Sequence, residues 1–324
     1  MYRQVPVTPR TTMRCARDTG ACTPGPSGVA FGHPGVRGAI QRRDTEEDRL
    51  SNRLSTRRSL LVSLAALVAL MTSAVAPVAA VTDGELDGNG HPFVGLMVAQ
   101  LADGTPLWRC SGTLLSATLF LTAGHCTEAP AEHVEIWFDA DVESGIPANG
   151  YPFTGDVGGT PYTHPQYDPN AFFLFDLGVV VLDDPMPMAE YGVLPELDQL
   201  DELKRGKKTV FTAVGYGLQQ SFPTAASWKT VAQRVRMVAK PHLIQINTPG
   251  FTGDFSLLLS NNTNTGGTCF GDSGGPNFLG NSLVIAGVTS FGLNSTCAGT
   301  GGVYRVDRAD DLDWLYGEFG AHLP

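Results

Sequence analysis

Three short segments carry residue types that could carry out covalent chemistry together: Leu121-Thr122-Ala123-Gly124-His125-Cys126, Phe175-Asp176-Leu177-Gly178, and Cys269-Phe270-Gly271-Asp272-Ser273-Gly274-Gly275-Pro276. A serine hydroxyl is too weakly acidic to attack an acyl carbon near neutral pH unless a neighbouring base takes its proton. An imidazole is such a base, and a buried carboxylate fixes its tautomer. Ser273, His125 and Asp176 are therefore read as nucleophile, base and orienting acid. Asp176 opens an apolar run to Leu182 that could bury its contact with His125, whereas the rival carboxylates Asp168, Asp183 and Asp184 stand in turn-like settings. Gly271 lets the chain curl so that the N–H groups of Gly271 and Ser273 can point together at a developing oxyanion.

Positioning three distant segments requires a scaffold, and its pattern is that of strands. Short apolar runs at Phe93 to Ala99, Leu107 to Leu115, Val134 to Phe138, Leu177 to Leu182, Val210 to Val214, Leu283 to Phe291 and Val303 to Val306 alternate with turn-rich stretches. Residues Thr230 to Val238 alternate with period two, which predicts a half-exposed strand with Val231, Val235 and Met237 inward and Arg234 and Arg236 outward. One helix is predicted, at the C-terminus, capped by Asp310 and burying Leu312, Leu315 and Phe319. Many evenly spaced strands favour an all-β barrel or sandwich.

Charge separates the chain into two unlike parts. Of 22 basic and 32 acidic side chains, 11 and 5 lie before residue 81, which leaves a net of −16 from Val81 onward. That excludes a basic nucleic-acid surface on the main body. Residues 1–58 are rich in Arg, Pro and Gly and read as a disordered leader or a mis-called start. Residues 59–80, following Arg57 and Arg58, read as a signal peptide cut after Ala80, with a run too interrupted for a stable membrane anchor. Thr56-Arg57-Arg58 also fits a twin-arginine signal, and either route makes the product secreted and extracellular. Cys15 and Cys22 leave with the leader. Four cysteines remain, Cys110, Cys126, Cys269 and Cys297, in an exported chain where disulfides persist; the sequence allows three pairings, and no spacing suits zinc.

The motifs TAGHC around His125 and GDSGGP around Ser273, in the chain order His, Asp, Ser with separations of 51 and 97 residues, closely resemble the trypsin/chymotrypsin family of serine proteases, in a bacterial secreted form. The resemblance runs from Val81 to Pro324 and includes Gly215-Tyr216-Gly217, Ser290-Phe291-Gly292 and Gly302-Val303-Tyr304, with Tyr216 and Phe291 where the family usually has tryptophan. It implies two six-stranded antiparallel β-barrels with a C-terminal helix, a boundary near residue 200, and a secreted serine endopeptidase acting on protein or peptide substrates, expected as a monomer. The alternative is a protease-fold binding protein or adhesin without turnover.

The same resemblance implies further roles. Cys110 pairs with Cys126 and Cys269 with Cys297, each bridge contributing about 3 kcal/mol on the chain-entropy estimate. Ser290 supports Asp176. The substrate pocket is formed by Gly267, Thr268, Ser290, Phe291, Gly292 and Gly302, with Gly267 at its floor and Gly292 and Gly302 as open walls. Without a carboxylate at the floor, an apolar or aromatic residue before the scissile bond is favoured over a basic one. No cofactor is needed. Calcium at Asp139, Asp141 and Glu143 is the one metal considered, against a plain solvated acidic face. Asn261 and Asn294 begin N-x-Ser/Thr sequons. Finally, Val81 and Asp272 stand where the family forms its activating ion pair between a new N-terminus and the acid before the nucleophile.

Overall fold

The computed structural model describes residues 81–220 and 232–324. The leader, the signal peptide, Cys15, Cys22 and the Thr230–Val231 start of the predicted alternating strand lie outside the described residues.

The first barrel is built from β2 (Val94–Gln100), β3 (Pro106–Leu114), β4 (Leu119–Thr122), β5 (His133–Trp137), β6 (Val157–Thr163) and β7 (Gly178–Leu182), after a two-residue β1 (Glu85–Leu86). These six strands close in the order β2-β3-β4-β7-β6-β5, every pair antiparallel. Two single-turn helices interrupt it, α1 (Gly124–Thr127) and α2 (Val142–Gly145). After a connection over 183–205, the second half contains β8 (Gly206–Gly215), β9 (Met237–Ala239), β10 (His242–Thr248), β11 (Gly253–Asn261), β12 (Pro276–Leu279), β13 (Ile285–Gly292) and β14 (Gly299–Arg305). Here β9 and β10 share one edge of β8, and a β8–β12 pairing closes the second six-stranded barrel. Closure removes the free sheet edges that an open sheet would offer to other chains.

Each predicted strand that begins on an apolar run is found, shifted by one to a few residues at its ends. All seven residues of β2 are buried, because one face lines the first barrel and the other meets the second half, where Tyr216 Oη donates to Val94 O at 3.3 Å. The predicted C-terminal helix is α3 (Ala309–Phe319); it buries Leu312, Leu315 and Phe319. Its N-cap is Arg308, not Asp310, which lies with Asp311 in the first turn, where negative charge suits the helix dipole.

The alternating segment departs from expectation. Only Met237–Ala239 is strand, and Arg236, read as outward-facing, is 1% exposed. Its guanidinium pairs with Asp87 at 3.0 Å and donates to Gly88 O, Val94 O, Phe138 O and Tyr216 Oη. A cation can be buried when its donors are satisfied in this way. Arg236 thereby fastens the N-terminal arm, the first barrel and the second half at one point.

Candidate active site

His125 lies in α1, the single turn that follows β4. Its neighbour Cys126 is joined to Cys110 of β3, and Cys269 is joined to Cys297, as the pairing implied by the resemblance requires. The first bridge holds the His125 turn against the barrel wall, and the second ties the Ser273 turn to the loop after β13.

Asp176 enters β7 from a sharp turn in which Phe175 takes φ +52°. It is 0% exposed. Asp176 Oδ1 accepts the His125 backbone N–H at 2.9 Å, its Oδ2 lies 2.9 Å from His125 Nδ1, and the Ser290 hydroxyl donates to Oδ2 at 2.5 Å. Two of these contacts fix the ring and one fixes the acid. Of the rival carboxylates, Asp168 is exposed and caps the short turn Pro169–Ala171, and Asp183 and Asp184 are exposed. On the other side of the imidazole, Nε2 is buried with no hydrogen-bond partner among the described residues. An imidazole bonded to a carboxylate through one nitrogen and unoccupied at the other is equipped to accept a proton there.

Ser273 is carried by the turn between β11 and β12. Its carbonyl accepts the Ser111 N–H at 2.8 Å, and Gly274 packs so closely on the strand leading to His125 that an added Cβ would lie 2.0 Å from Thr122 Oγ1 and 2.8 Å from Ala123 N. Only glycine fits this approach, which brings the Ser273 turn onto residues two and three before His125. Gly271 takes φ +95°, and its carbonyl accepts the Ser111 hydroxyl at 2.9 Å. Neither the Gly271 nor the Ser273 N–H donates to another described residue. Two such unspent donors are what an oxyanion needs.

Asp272 is fully buried, its oxygens accepting Gly217 N–H and Cys269 N–H at 2.8 Å each. Burial pushes its carboxyl up to about 7, against the pull of those two bonds and of Arg109. Val81 is also fully buried, packed with Met237 and Ala239, and Thr82 bridges antiparallel to Gly267. Behind Asp176, His164 stacks on Phe175, and Tyr304 Oη donates to a buried Asp311 whose carboxyl is raised by burial to about 8. Nothing in the local sequence marked this second layer.

The residues expected to form a pocket lie along β13, β14 and the Ser273 turn, and two of the glycines have neighbours the sequence did not foretell. A Cβ on Gly302 would meet the Phe291 ring at 2.3–2.5 Å, so this wall is lined by an aromatic ring rather than open. Phe291 is in turn held by Phe173 and Phe251. At the floor, the space a side chain on Gly267 would take is filled by Asn261, whose Nδ2 donates to Thr268 O at 2.8 Å. Asn261 is thus buried against Gly267 rather than an accessible sequon, while Asn294 is exposed.

The residues considered for calcium are dispersed. Asp141 caps α2 through Ser144 N, and Glu143 pairs with Arg234 at 2.7 Å. Among the described residues the one grouping of potential metal donors is Cys110, His125 and Cys126, and both of its sulfurs are spent in a disulfide.

Comparison with known proteins agrees with this geometry. The sequence model of the Trypsin family matches residues 89–314. A trypsin of Saccharopolyspora erythraea is 29% identical over 231 residues, spanning 68% of this chain and 91% of that protein. Brachyurin of Leptuca pugilator is 28% identical over 226 residues, 66% of this chain and 89% of its own. The solved structure of HL collagenase superposes with a TM-score of 0.56 at 20% identity, over 74% of this chain and 98% of that one. Human heparin binding protein does so with a TM-score of 0.52 at 21% identity, over 71% and 92%. At these identities the superpositions speak for the fold. Among the described residues, no helix is long and apolar enough to cross a membrane.

Proposed function

Because the chain belongs to the trypsin family, we propose that it is a secreted serine endopeptidase in which Ser273, His125 and Asp176 form the catalytic group. The observation that carries this reading is the buried imidazole, bonded at Nδ1 to a fully buried carboxylate and unoccupied at Nε2, on a wall against which the Ser273 turn packs. Ser273 Oγ attacks the peptide carbonyl as His125 Nε2 takes its proton. Asp176 stabilises the resulting imidazolium, and the Gly271 and Ser273 N–H groups receive the negative oxygen. His125 returns the proton to the leaving amine. A water then repeats the sequence and frees the acyl group.

Export through residues 59–80 accords with two disulfides, which persist in oxidising compartments. The likeness to a protein named for binding heparin keeps a binding function without turnover as the rival reading. A serine-directed phosphonate probe separates the two: it should label the native protein and spare Ser273→Ala. A folded wild type that stays unlabelled would favour the binding protein.

For specificity, the floor offers a neutral carboxamide, Asn261, beside Gly267, and no carboxylate to hold a substrate Lys or Arg. The Phe291 ring adds an apolar wall. Peptides with Leu, Tyr or Phe before the scissile bond should therefore be cleaved at least tenfold faster, in kcat/KM, than those with Arg, a margin of about 1.4 kcal/mol. Faster hydrolysis after Arg in a matched peptide series would refute this assignment.

Activation is proposed to follow from the cut after Ala80. No Lys or Arg precedes Val81, so a trypsin-type cleavage has no site at this bond. A signal peptidase would then generate the working terminus directly, with Asp272 as the acid that receives it.

A further inference from the structure

Arg109 is the last residue of β3 before Cys110, and it is half-buried beside the Ser273 turn. A Cβ added to Gly271 would stand 3.3 Å from both its Nε and its Nη2. Ser111, two residues on and therefore on the same side of the strand, anchors the turn through Gly271 O and Ser273 O. Arg234, Arg236, Arg305 and Arg308 all hold carboxylates, whereas the Arg109 side chain has neither an ion pair nor a hydrogen bond among the described residues. The two acids that feel its charge are engaged elsewhere: Asp272 by Gly217 and Cys269, and Glu143 by Arg234. A guanidinium held against the wall of a reaction site with its fork unfilled is suited to a ligand carboxylate.

The chemistry decides which half of a substrate would meet it. The acyl half is directed to the side of Ser273 occupied by Gly267, Ser290 and Phe291. In the proposed mechanism the leaving amine takes its proton from His125, whose neighbour Cys126 is bridged to Cys110, the residue after Arg109, so the leaving half would lie on the Arg109 side of the bond. We propose that Arg109 is a specificity residue for the leaving half, selecting substrates with Asp or Glu at the first or second position after the scissile bond. This rests on the endopeptidase reading and extends it to the opposite side of the bond. It also gives an acidic enzyme, with a net charge of −16 from Val81 onward, a means to favour acidic partners that its overall field would repel.

The test uses quenched fluorescent peptides with one common acyl half and Glu, Gln or Lys at each of the two positions after the bond. For each enzyme form, the ratio of kcat/KM for Glu over Lys is taken, so that changes in overall turnover cancel. The wild type should give a ratio of about five to twenty, from attraction in one peptide and repulsion in the other, each the size of a partly exposed ion pair. Arg109→Gln should bring the ratio near one, Arg109→Glu should invert it, and 0.5 M NaCl should shrink it in the wild type by screening. A wild-type ratio below two, or one unmoved by Arg109→Glu, overturns the assignment while leaving the endopeptidase reading intact. If the wild type cleaves none of the peptides and takes up no phosphonate probe, the endopeptidase reading fails and this inference fails with it.

Discussion

Ser273→Ala and His125→Ala are each expected to lower kcat on the order of 10⁶-fold, and the double variant to lose no more than either alone, because the group works as one unit. Without Oγ there is no acyl intermediate. Without the imidazole, the hydroxyl keeps its proton and the leaving amine must depart as an anion. Asp176→Asn is expected to cost less, on the order of 10⁴-fold, since an amide at that place favours the wrong tautomer of His125 while leaving the ring in position. That variant keeps an oxygen to accept the His125 backbone N–H, and its amide NH2 can donate to the Ser290 hydroxyl oxygen in place of accepting from it, so it should fold. Steady-state kinetics on one good peptide, together with circular dichroism of each variant, measure all of this. Turnover within tenfold of wild type in Ser273→Ala or His125→Ala would remove those residues from the mechanism.

The legible part of this molecule is the part written in contiguous residues. TAGHC and GDSGGP point to the proposed base and nucleophile because their glycines and small residues are dictated by close approach, as Gly274 against Thr122 illustrates. Strands β2 and β7 were readable because both their faces are covered, which makes them apolar runs. Strands β6, β11 and β12 were not. Their sequences, VGGTPYT, GDFSLLLSN and PNFL, contain glycine, proline or polar side chains that local preference assigns to turns, and it is pairing around a closed barrel that holds them extended. Burial of charge was equally hidden. Arg236 looked like the outer face of a strand because its partners, Asp87 and Gly88 on one side and Phe138 and Tyr216 on the others, are between 20 and 149 residues away. Asn261 matched a glycosylation signal by letter, but its side chain is buried against Gly267 and bonded to Thr268 O. Asp176 lies between these cases: the sequence offered four acids and favoured one by the apolar run it opens, and its burial and bonds to His125 and Ser290 set it apart in the structure.

An enzyme whose chain starts at Val81 should be at least a hundredfold more active than one carrying a single additional Ala before it, and the reason lies in the electrostatics of Asp272. With Val81 in peptide linkage, Asp272 has two backbone N–H partners and no ion pair among the described residues, and burial raises its carboxyl from 3.8 to about 7. A carboxyl raised in the folded state costs stability as it is forced to ionise: the native protein binds the extra proton, so stability falls as pH climbs from about 4 to 7 and is level beyond. The loss is at most about 4 kcal/mol, because each pH interval of one between those two values contributes about 1.4 kcal/mol. A cation beside Asp272 would abolish it. In the proposed activation the Val81 amine supplies one; Val81 is buried in the Met237–Ala239 cluster, with Gly267 N–H donating to Thr82 O at 3.0 Å and Thr82 Oγ1 donating to Gly267 O at 3.2 Å. Its φ of +54° is unfavourable for a β-branched residue, and the constraint disappears once no residue precedes it. A free α-amine, with an ordinary pKa of about 7.7 to 8.0, would be raised by pairing with Asp272. Its contribution is complete below the unpaired value and is lost as pH rises through the raised one. The enzyme starting at Val81 should therefore keep full activity through pH 7 and lose it on an alkaline limb above 8, with a melting temperature flat between pH 5 and 7. The Ala-extended form should lose melting temperature over that interval and lack the alkaline limb. Asp272→Asn should remove both pH effects, because neither the acid nor its ion pair remains. Terminal sequencing of the secreted protein and pH profiles of the three forms decide the matter. A mature terminus elsewhere than Val81, or an Ala-extended enzyme with undiminished activity and the same alkaline limb, would show that Val81 merely begins an ordered arm beside the pocket floor.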